Sequence, residues 1–272
     1  MYRNAEGLVV RHRQDGELRT AMKDYLATIV ENKKIANGVY SITFRVDEDV
    51  QVRCGQFGEI AVGGSHLLRR PIAICKVEGR EITFCYQVKG EGTQRLMGAA
   101  VGTQLNVLMP LGNGFFVEES EQKVALVGGG VGVFPLVSVL RQYRGKKQIS
   151  SYMGFRNKDA VCMLGELQKA NKNVVVSDDG SYGEKMNAVQ AFEKDLAAGN
   201  RPDVVLACGP MPMLRALKQV TEREGLTCFV SLEERMGCGI GACLVCVCAM
   251  TNGANARVCK DGPVFNAKDV EL

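Results

Sequence analysis

Between residues 22 and 115, apolar and polar positions alternate with a period of two in short runs. Examples are VYSITFRV (39–46), FGEIAV (57–62), REITFCYQV (80–88) and TQLNVLMPL (103–111), separated by Gly, Asp and Asn. Such runs, each bounded by turn residues, predict a small antiparallel β-barrel. One stretch breaks the pattern: TQRLMGAA (93–100) predicts a short helix. After GNGFFVEESEQ (112–122), which reads as a linker, the period changes. KVALVGGG (123–130), ISSYMGF (149–155), NVVVSDD (173–179) and DVVLACG (203–209) are apolar runs of buried-strand length. Between and after them, 131–144, 159–170, 183–199 and 211–225 carry helical spacing. Strand and helix in alternation predict a doubly wound parallel sheet, an α/β unit. From about 228 the chain turns Cys- and Gly-rich and reads as loop. The resulting division is a charged lead-in over 1–21, a barrel over 22–115, an α/β domain over 121–227 and a Cys-rich segment over 228–272.

Composition narrows the function classes. With 272 residues, 46% apolar and 24% charged, the chain has material for about two domains and their cores. A net charge of +4, spread along the chain, leaves no basic stripe of the sort that binds nucleic acid. No apolar run reaches membrane-spanning length, and the polar start MYRNAEGLVVRHRQDGELR lacks the apolar middle of a signal peptide. A reduced, cytoplasmic location is the expectation.

The eleven cysteines change the picture most. An odd count without an export signal argues against a disulfide framework. Six are dispersed, whereas Cys238, Cys243, Cys246, Cys248 and Cys259 crowd near the end. The two histidines, His12 and His66, are far from that crowd, which excludes Cys2His2 ligation by inventory. Cys238-x4-Cys243-x2-Cys246 followed by a distant Cys259 has the spacing of plant-type [2Fe–2S] centres. Gly237, Gly239 and Gly241 would let the backbone wrap closely and aim N–H groups at sulfur. A structural zinc site and buried free thiols are the alternatives. Cys248, two residues past Cys246, is a competing fourth ligand, and Cys259 is preferred.

Three further stretches carry candidate binding chemistry. Gly128-Gly129-Gly130-Val131-Gly132, with Pro135 beyond, joins a strand to a helix, where free N–H groups can hold a pyrophosphate. Val133 occupies the third glycine position of the dinucleotide fingerprint, and a tight strand–helix turn is the plainer alternative. The stretch after the second strand, Gly154 to Lys158, has no acidic residue for a ribose, so NAD and NADP are not distinguished. Cys208-Gly209-Pro210 stands at the C-terminal end of another strand, the edge where open α/β sheets bind ligands. In the barrel, Arg69 and Arg70 precede Pro71, Ile72 and Ala73, and Gly92 and Thr93 open the short helix. An arginine fork and a helix start both suit phosphate; a surface ion pair and a hairpin turn explain them equally.

Together the motifs resemble the ferredoxin–NADP reductase superfamily, in the family's order, over about 24–272. SLEERMGCGIGACLVCVC with RVCKDGPVF, GQF at 55–57 and PLGNGF at 110–115 resemble, more narrowly, the electron-transfer subunits of the NAD-dependent, two-subunit dihydroorotate dehydrogenases of the B type. The resemblance implies FAD, one [2Fe–2S] cluster, and NAD as electron acceptor. It implies that Arg70, Pro71, Ile72 and Ala73 form the first flavin motif. Cys85, Tyr86 and Gln87 would flank the flavin, and Gly92 and Thr93 would form its pyrophosphate turn. Gly128, Gly129, Gly130, Gly132, Cys208, Gly209 and Pro210 would serve the nucleotide, and Cys238, Cys243, Cys246 and Cys259 the cluster. Ala73 departs from the family, which commonly has Ser or Thr there, so one hydroxyl beside the flavin is missing. The implied partner is an FMN-containing catalytic subunit that oxidises dihydroorotate, in a heterotetramer with two copies of each chain, serving pyrimidine biosynthesis. No catalytic acid or base for dihydroorotate is expected here. A related reductase subunit for sulfide, sulfite, hydrogenase or ferredoxin systems is the alternative, and a zinc-stapled nucleotide-binding module without redox activity is a third reading.

Overall fold

The computed structural model describes residues 2–3, 9–10, 21–64 and 66–272. Within the 1–21 lead-in it gives two paired short strands, β1 (Tyr2–Arg3) and β2 (Val9–Val10); residues 1, 4–8 and 11–20 lie outside the described residues.

Six antiparallel strands close the barrel in the order β3 (Lys23–Ala36), β4 (Val39–Arg45), β7 (Glu81–Gln87), β6 (Arg70–Glu78), β5 (Phe57–Ile60) and β8 (Gln104–Leu111). The period-two pattern explains which side chains point inward. Ile82, Phe84 and Tyr86 of β7 enter the barrel core with Ile42 and Phe44 of β4, and the Phe44 and Phe84 rings meet edge to face at 5.9 Å. Their neighbours on β7 therefore face outward. The short helix is α1 (Glu91–Met97).

The second unit is a six-stranded sheet, ordered β11 (Lys172–Ser177), β10 (Gln148–Phe155), β9 (Lys123–Gly129), β12 (Val204–Cys208), β13 (Thr227–Ser231) and β16 (Val264–Asn266). The first five run parallel, and β16 adds antiparallel to the edge. The central parallel strands β9 and β12 are buried on both faces, hence their near-continuous apolar runs. Helices α2 (Val133–Tyr143), α4 (Ala188–Ala197) and α5 (Met211–Arg223) pack on this sheet.

Three expectations need correction. Residues 159–170 are not one helix: a 3-10 turn spans Lys158–Ala160, and only α3 (Leu164–Leu167) is α-helical. Met163 takes a left-handed φ of 62° between them, which interrupts helix propagation. The helix expected from 183 begins at Ala188, because Asn187 and Gln190 cap its first turn reciprocally. The region beyond 228 is not all loop. β13 is a buried, β-branched and aromatic strand, and β14 (Val247–Ala249) pairs with β15 (Asn255–Arg257) as a hairpin.

Barrel and sheet are joined by direct contacts. Helix α2 packs against β6, and its Gln142 and Ser138 side chains accept hydrogen bonds from the Cys54 and Gly55 amides, each at 3.0 Å. Asn113, in the connecting stretch, binds the Cys-rich segment: its amide donates to the Gly262 carbonyl at 2.6 Å, and its side chain to the Lys260 and Asp261 carbonyls. No described helix is long and apolar enough to cross a membrane.

Candidate functional site: two adjoining cavities and a thiol loop

The first cavity, of about 270 Å³, opens between the barrel and the sheet. Arg70, Pro71, Ile72, Ala73, Cys85, Tyr86, Gln87 and Thr93 line its barrel side, and Cys208 its sheet side. Gly92 opens α1 directly against Arg70; a Cβ there would sit inside the guanidinium, so glycine is what lets the arginine reach the helix start. Arg69 is committed elsewhere, in a bidentate pair with Asp24 at 2.7–2.8 Å, the plain ion pair weighed for it. Arg70 instead donates to the Leu68 carbonyl at 2.7 Å and keeps further donors of its fork. The buried Tyr86 hydroxyl has no hydrogen-bond partner, and burial pushes its pKa up, so it stays a neutral donor. An apolar cavity with an unpartnered hydroxyl, an arginine fork and a helix start fits a flavin dinucleotide.

The second cavity, of about 570 Å³, lies along the C-terminal edge of the sheet. Gly129, Gly130, Gly132, Gly209 and Pro210 line it; Gly128 lies within β9 below them. Gly132 faces Cys208 so closely that a Cβ would overlap its carbonyl, which brings the two glycine turns together. Gly130–Gly132 form a 3-10 turn running into α2, with Pro135 in its first turn. A bare backbone surface at a strand–helix switch fits a pyridine dinucleotide. Burial pushes the Cys208 thiol up, so it presents a neutral S–H between the two turns. Gln87, Lys89, Val131, Phe134 and Glu233 line both cavities, which are therefore continuous.

Glu233 and Asp178 line these cavities and were not among the residues expected from the sequence. Glu233 follows β13, a strand hidden by the Cys-rich composition around it. Asp178, with Arg156 and Asn157, lines the far wall of the second cavity. Asp178 comes from the end of β11, one strand beyond the one searched for an acid, where its amide donates to the Phe155 carbonyl.

The Cys-rich segment adjoins the first cavity, whose lining includes Glu234, Met236 and Pro263. Gly239, Gly241 and Leu244 take left-handed φ values of 69°, 84° and 57°, which fold the loop back on itself. All eleven cysteines are free. Among the described residues no three His, Cys, Asp or Glu side chains converge on a ready-made single-ion site; the thiols stand as two pairs. Cys238 meets Cys243, and its sulfur accepts from the Ala242 and Cys243 amides at 3.3 and 3.4 Å. Burial pushes the Cys238 thiol up, but the Ile240, Cys243 and Ala242 amides outweigh it and hold the pKa down at about 6. A thiolate is thus favoured, the form that binds iron. Cys259 meets Cys246, whose sulfur accepts from the Cys259 amide at 3.4 Å. Burial and Cys246 push Cys259 up to about 12, a shift that a bound cation reverses. Cys248 lies on β14, half-buried, its thiol raised to about 11 mainly by burial. Four sulfurs with N–H donors around them fit a [2Fe–2S] cluster.

Glu59 of β5 lies under this loop. It is 1% exposed, and its Oε1 has no hydrogen-bond partner; a Cβ on Gly239 would stand 2.9 Å from that atom. Burial pushes the carboxyl up to about 7, against the pull of Arg69, and Cys238 adds to the rise. A raised folded pKa favours the neutral form. Its contribution to stability is present below the ordinary carboxylate value and is lost as pH rises through about 7. Glu59→Gln is therefore expected to melt higher than the parent protein above pH 7 and to converge with it at pH 5. Scanning calorimetry at both pH values checks this; a pH-independent difference would remove Glu59 titration as the cause.

Two family models match the chain: the iron–sulfur cluster binding domain of dihydroorotate dehydrogenase B over residues 233–271, and the oxidoreductase NAD-binding domain over 126–219. The chain is 40% identical over 262 residues to a Bacillus pumilus protein named dihydroorotate dehydrogenase B (NAD(+)), electron transfer subunit, covering 92% of this chain and 99% of that one. A Clostridium perfringens protein of the same name is 33% identical over 256 residues, covering 93% and 100%. Among solved structures, that of an NADH-dependent reduced ferredoxin-NADP oxidoreductase aligns with a TM-score of 0.79 at 25% identity, over 90% of each chain. The Amycolatopsis cytochrome P450 reductase GcoB shares the fold, with a TM-score of 0.67 at 24% identity over 78% of this chain and 69% of that one.

Proposed function

The chain belongs to the family of electron transfer subunits of NAD(+)-linked dihydroorotate dehydrogenase B, and on that premise we propose how its residues divide the work. The observation that carries the proposal is continuity. The nucleotide cavity opens into the barrel cavity through Gln87, Lys89, Val131, Phe134 and Glu233, and the barrel cavity is walled by Glu234, Met236 and Pro263 of the thiol segment. These contacts support three adjoining binding places, one for each group.

Residues 22–115 would hold FAD, 121–227 NAD, and 228–272 the [2Fe–2S] cluster. When bound, the cluster passes single electrons, the flavin takes up one or two, and nicotinamide accepts a hydride. The protein's part is positioning. Arg70, Gly92 and Thr93 hold the flavin phosphates, while Ala73, Cys85, Tyr86 and Gln87 shape the wall for its ring. Gly129, Gly130, Gly132, Gly209 and Pro210 offer bare backbone to the dinucleotide. Cys208, kept neutral by burial, would contribute no charge to the wall of the first cavity. Cys238, Cys243, Cys246 and Cys259 ligate iron. Val131 and Phe134 supply the apolar side chains at the junction.

No residue here is assigned to the oxidation of dihydroorotate. That step belongs to an FMN-containing catalytic subunit, in an assembly with two copies of each chain. Ile240, Leu244, Val245 and Val247 are exposed apolar residues around the thiol loop and support docking of that subunit there. A cytoplasmic location is part of the same reading.

The test is dihydroorotate-dependent NAD+ reduction by the two coexpressed subunits and by each alone. Activity is expected only with both. Inactivity of the pair, with NADH still bleaching the flavin, would reassign the electron donor to one of the related systems. A colourless purified protein would support the zinc-stapled module instead.

A further inference from the structure

The outward face of β6 and β7 carries two buried thiols that electron transfer does not use as ligands. Cys75 is 1% exposed and Cys85 is 4% exposed, and the two are in contact. They sit where the barrel meets α2, beside Val137 and Arg141. On the far side of the pair a third cavity, of about 520 Å³, opens between the barrel flank and α2–α3. Among the described residues, Cys85 alone lines both this outer cavity and the one assigned to the flavin. Cys85 is the residue that the two walls share.

The surroundings favour attack by Cys85. Hydrogen bonding between the two thiols holds the Cys85 pKa below the ordinary thiol value, against the opposing effect of burial, and raises that of Cys75; Ser41 and Lys33 also lower Cys85. The charged rim is internally paired: Lys33 with Glu31, Arg45 with Glu81, Lys76 with Glu78, and Arg141 with Glu78 and Glu166. No rim charge is left to oppose an approaching small molecule.

We propose that Cys85 is a site of reversible thiol modification, entered through the outer cavity by small disulfides and felt at the flavin cavity through their shared wall. The last clause rests on the assignment of the first cavity to FAD. Cys85 loses its proton to water. The thiolate attacks one sulfur of the reagent, the reagent's S–S bond breaks, and a Cys85–S–S–R bond forms. The second sulfur departs as a thiolate carrying the bonding electrons. Cys75 keeps its proton throughout, as the donor that activates its neighbour.

The test treats the flavin- and cluster-loaded complex with 5,5′-dithiobis(2-nitrobenzoate), maps adducts by peptide mass spectrometry and follows release of flavin fluorescence. Modification of Cys85 in the native protein is expected. It should slow at least tenfold in Cys75→Ala, which removes the donor, and in Thr83→Phe, which fills the outer cavity but leaves both thiols in place. Flavin release should track the adduct, and a reducing thiol should reverse both. Cys85 labelled only after unfolding, or at an unchanged rate in both variants, would overturn the site. An adduct without flavin release would overturn its link to the flavin wall. A purified protein without flavin would count against the cavity assignment instead, and the mass measurement on Cys85 would still decide the modification.

Discussion

Cys243→Ser in the assembled enzyme is expected to abolish NAD+ reduction by dihydroorotate, a loss of at least about a thousandfold, while NADH oxidation by an artificial two-electron acceptor stays within about twofold. The split follows from the row of sites. Cys243 belongs to the thiol loop, and of the four proposed ligands it is the exposed one, so serine there disturbs no packed core. What it removes is one of four sulfurs, and a hydroxyl is a poor substitute for a thiolate toward iron. Cys243 lines neither of the two cavities proposed for flavin and nucleotide, so both keep their linings. Parallel steady-state assays with the two donor–acceptor pairs, together with iron content, check the prediction. Equal loss of both activities would mean that the loop supports the flavin fold rather than the relay.

Gly132→Ala is expected to act at the opposite end of the row. The added methyl would overlap the Cys208 carbonyl, which is backbone and cannot swing aside as a side chain would. The 3-10 turn or the Cys208–Gly209 turn must then move, and both line the nucleotide cavity. Overpacking of this kind costs about 1–3 kcal/mol of stability. The larger consequence is functional: kcat/KM for NADH should fall at least about a hundredfold, since misplacement by an ångström at a reacting centre has that effect. Stopped-flow reduction of the flavin by NADH reads it directly. Flavin content should be retained, because Gly132 does not line the barrel cavity. Normal NADH kinetics in this variant would refute the assignment of the turn to the dinucleotide.

Much of this was legible in the chain, and the exceptions have physical causes. The barrel showed through β4, β5, β7 and β8, whose alternation is clean because one face meets the core and the other does not. β3 and β6 were not singled out. β6 begins on the Arg-Pro pair read as a phosphate motif, and its register shifts between Ile74 and Lys76, which spoils the period. β13 was lost because only five residues carry it and the cysteines after it dominate the composition. The thiol spacing was readable because ligand geometry is local. The junction between cavities was not, since Gln87, Phe134 and Glu233 come from the barrel, α2 and the stretch after β13, and only tertiary folding brings them together. Arg69 was one of two arginines offered for a phosphate, and its pairing with Asp24, far away in sequence, was equally invisible.

The strands that flank the thiol loop, β13 and β16, are hydrogen-bonded to each other. Residues 232–263 are therefore a closed excursion from a finished sheet edge, not a tail. A loop with tethered ends has already lost part of the entropy that metal ligation would otherwise have to overcome. The pairing of Val264–Asn266 with β13 thus does part of the work of gathering the four sulfurs that a bound metal would otherwise have to do.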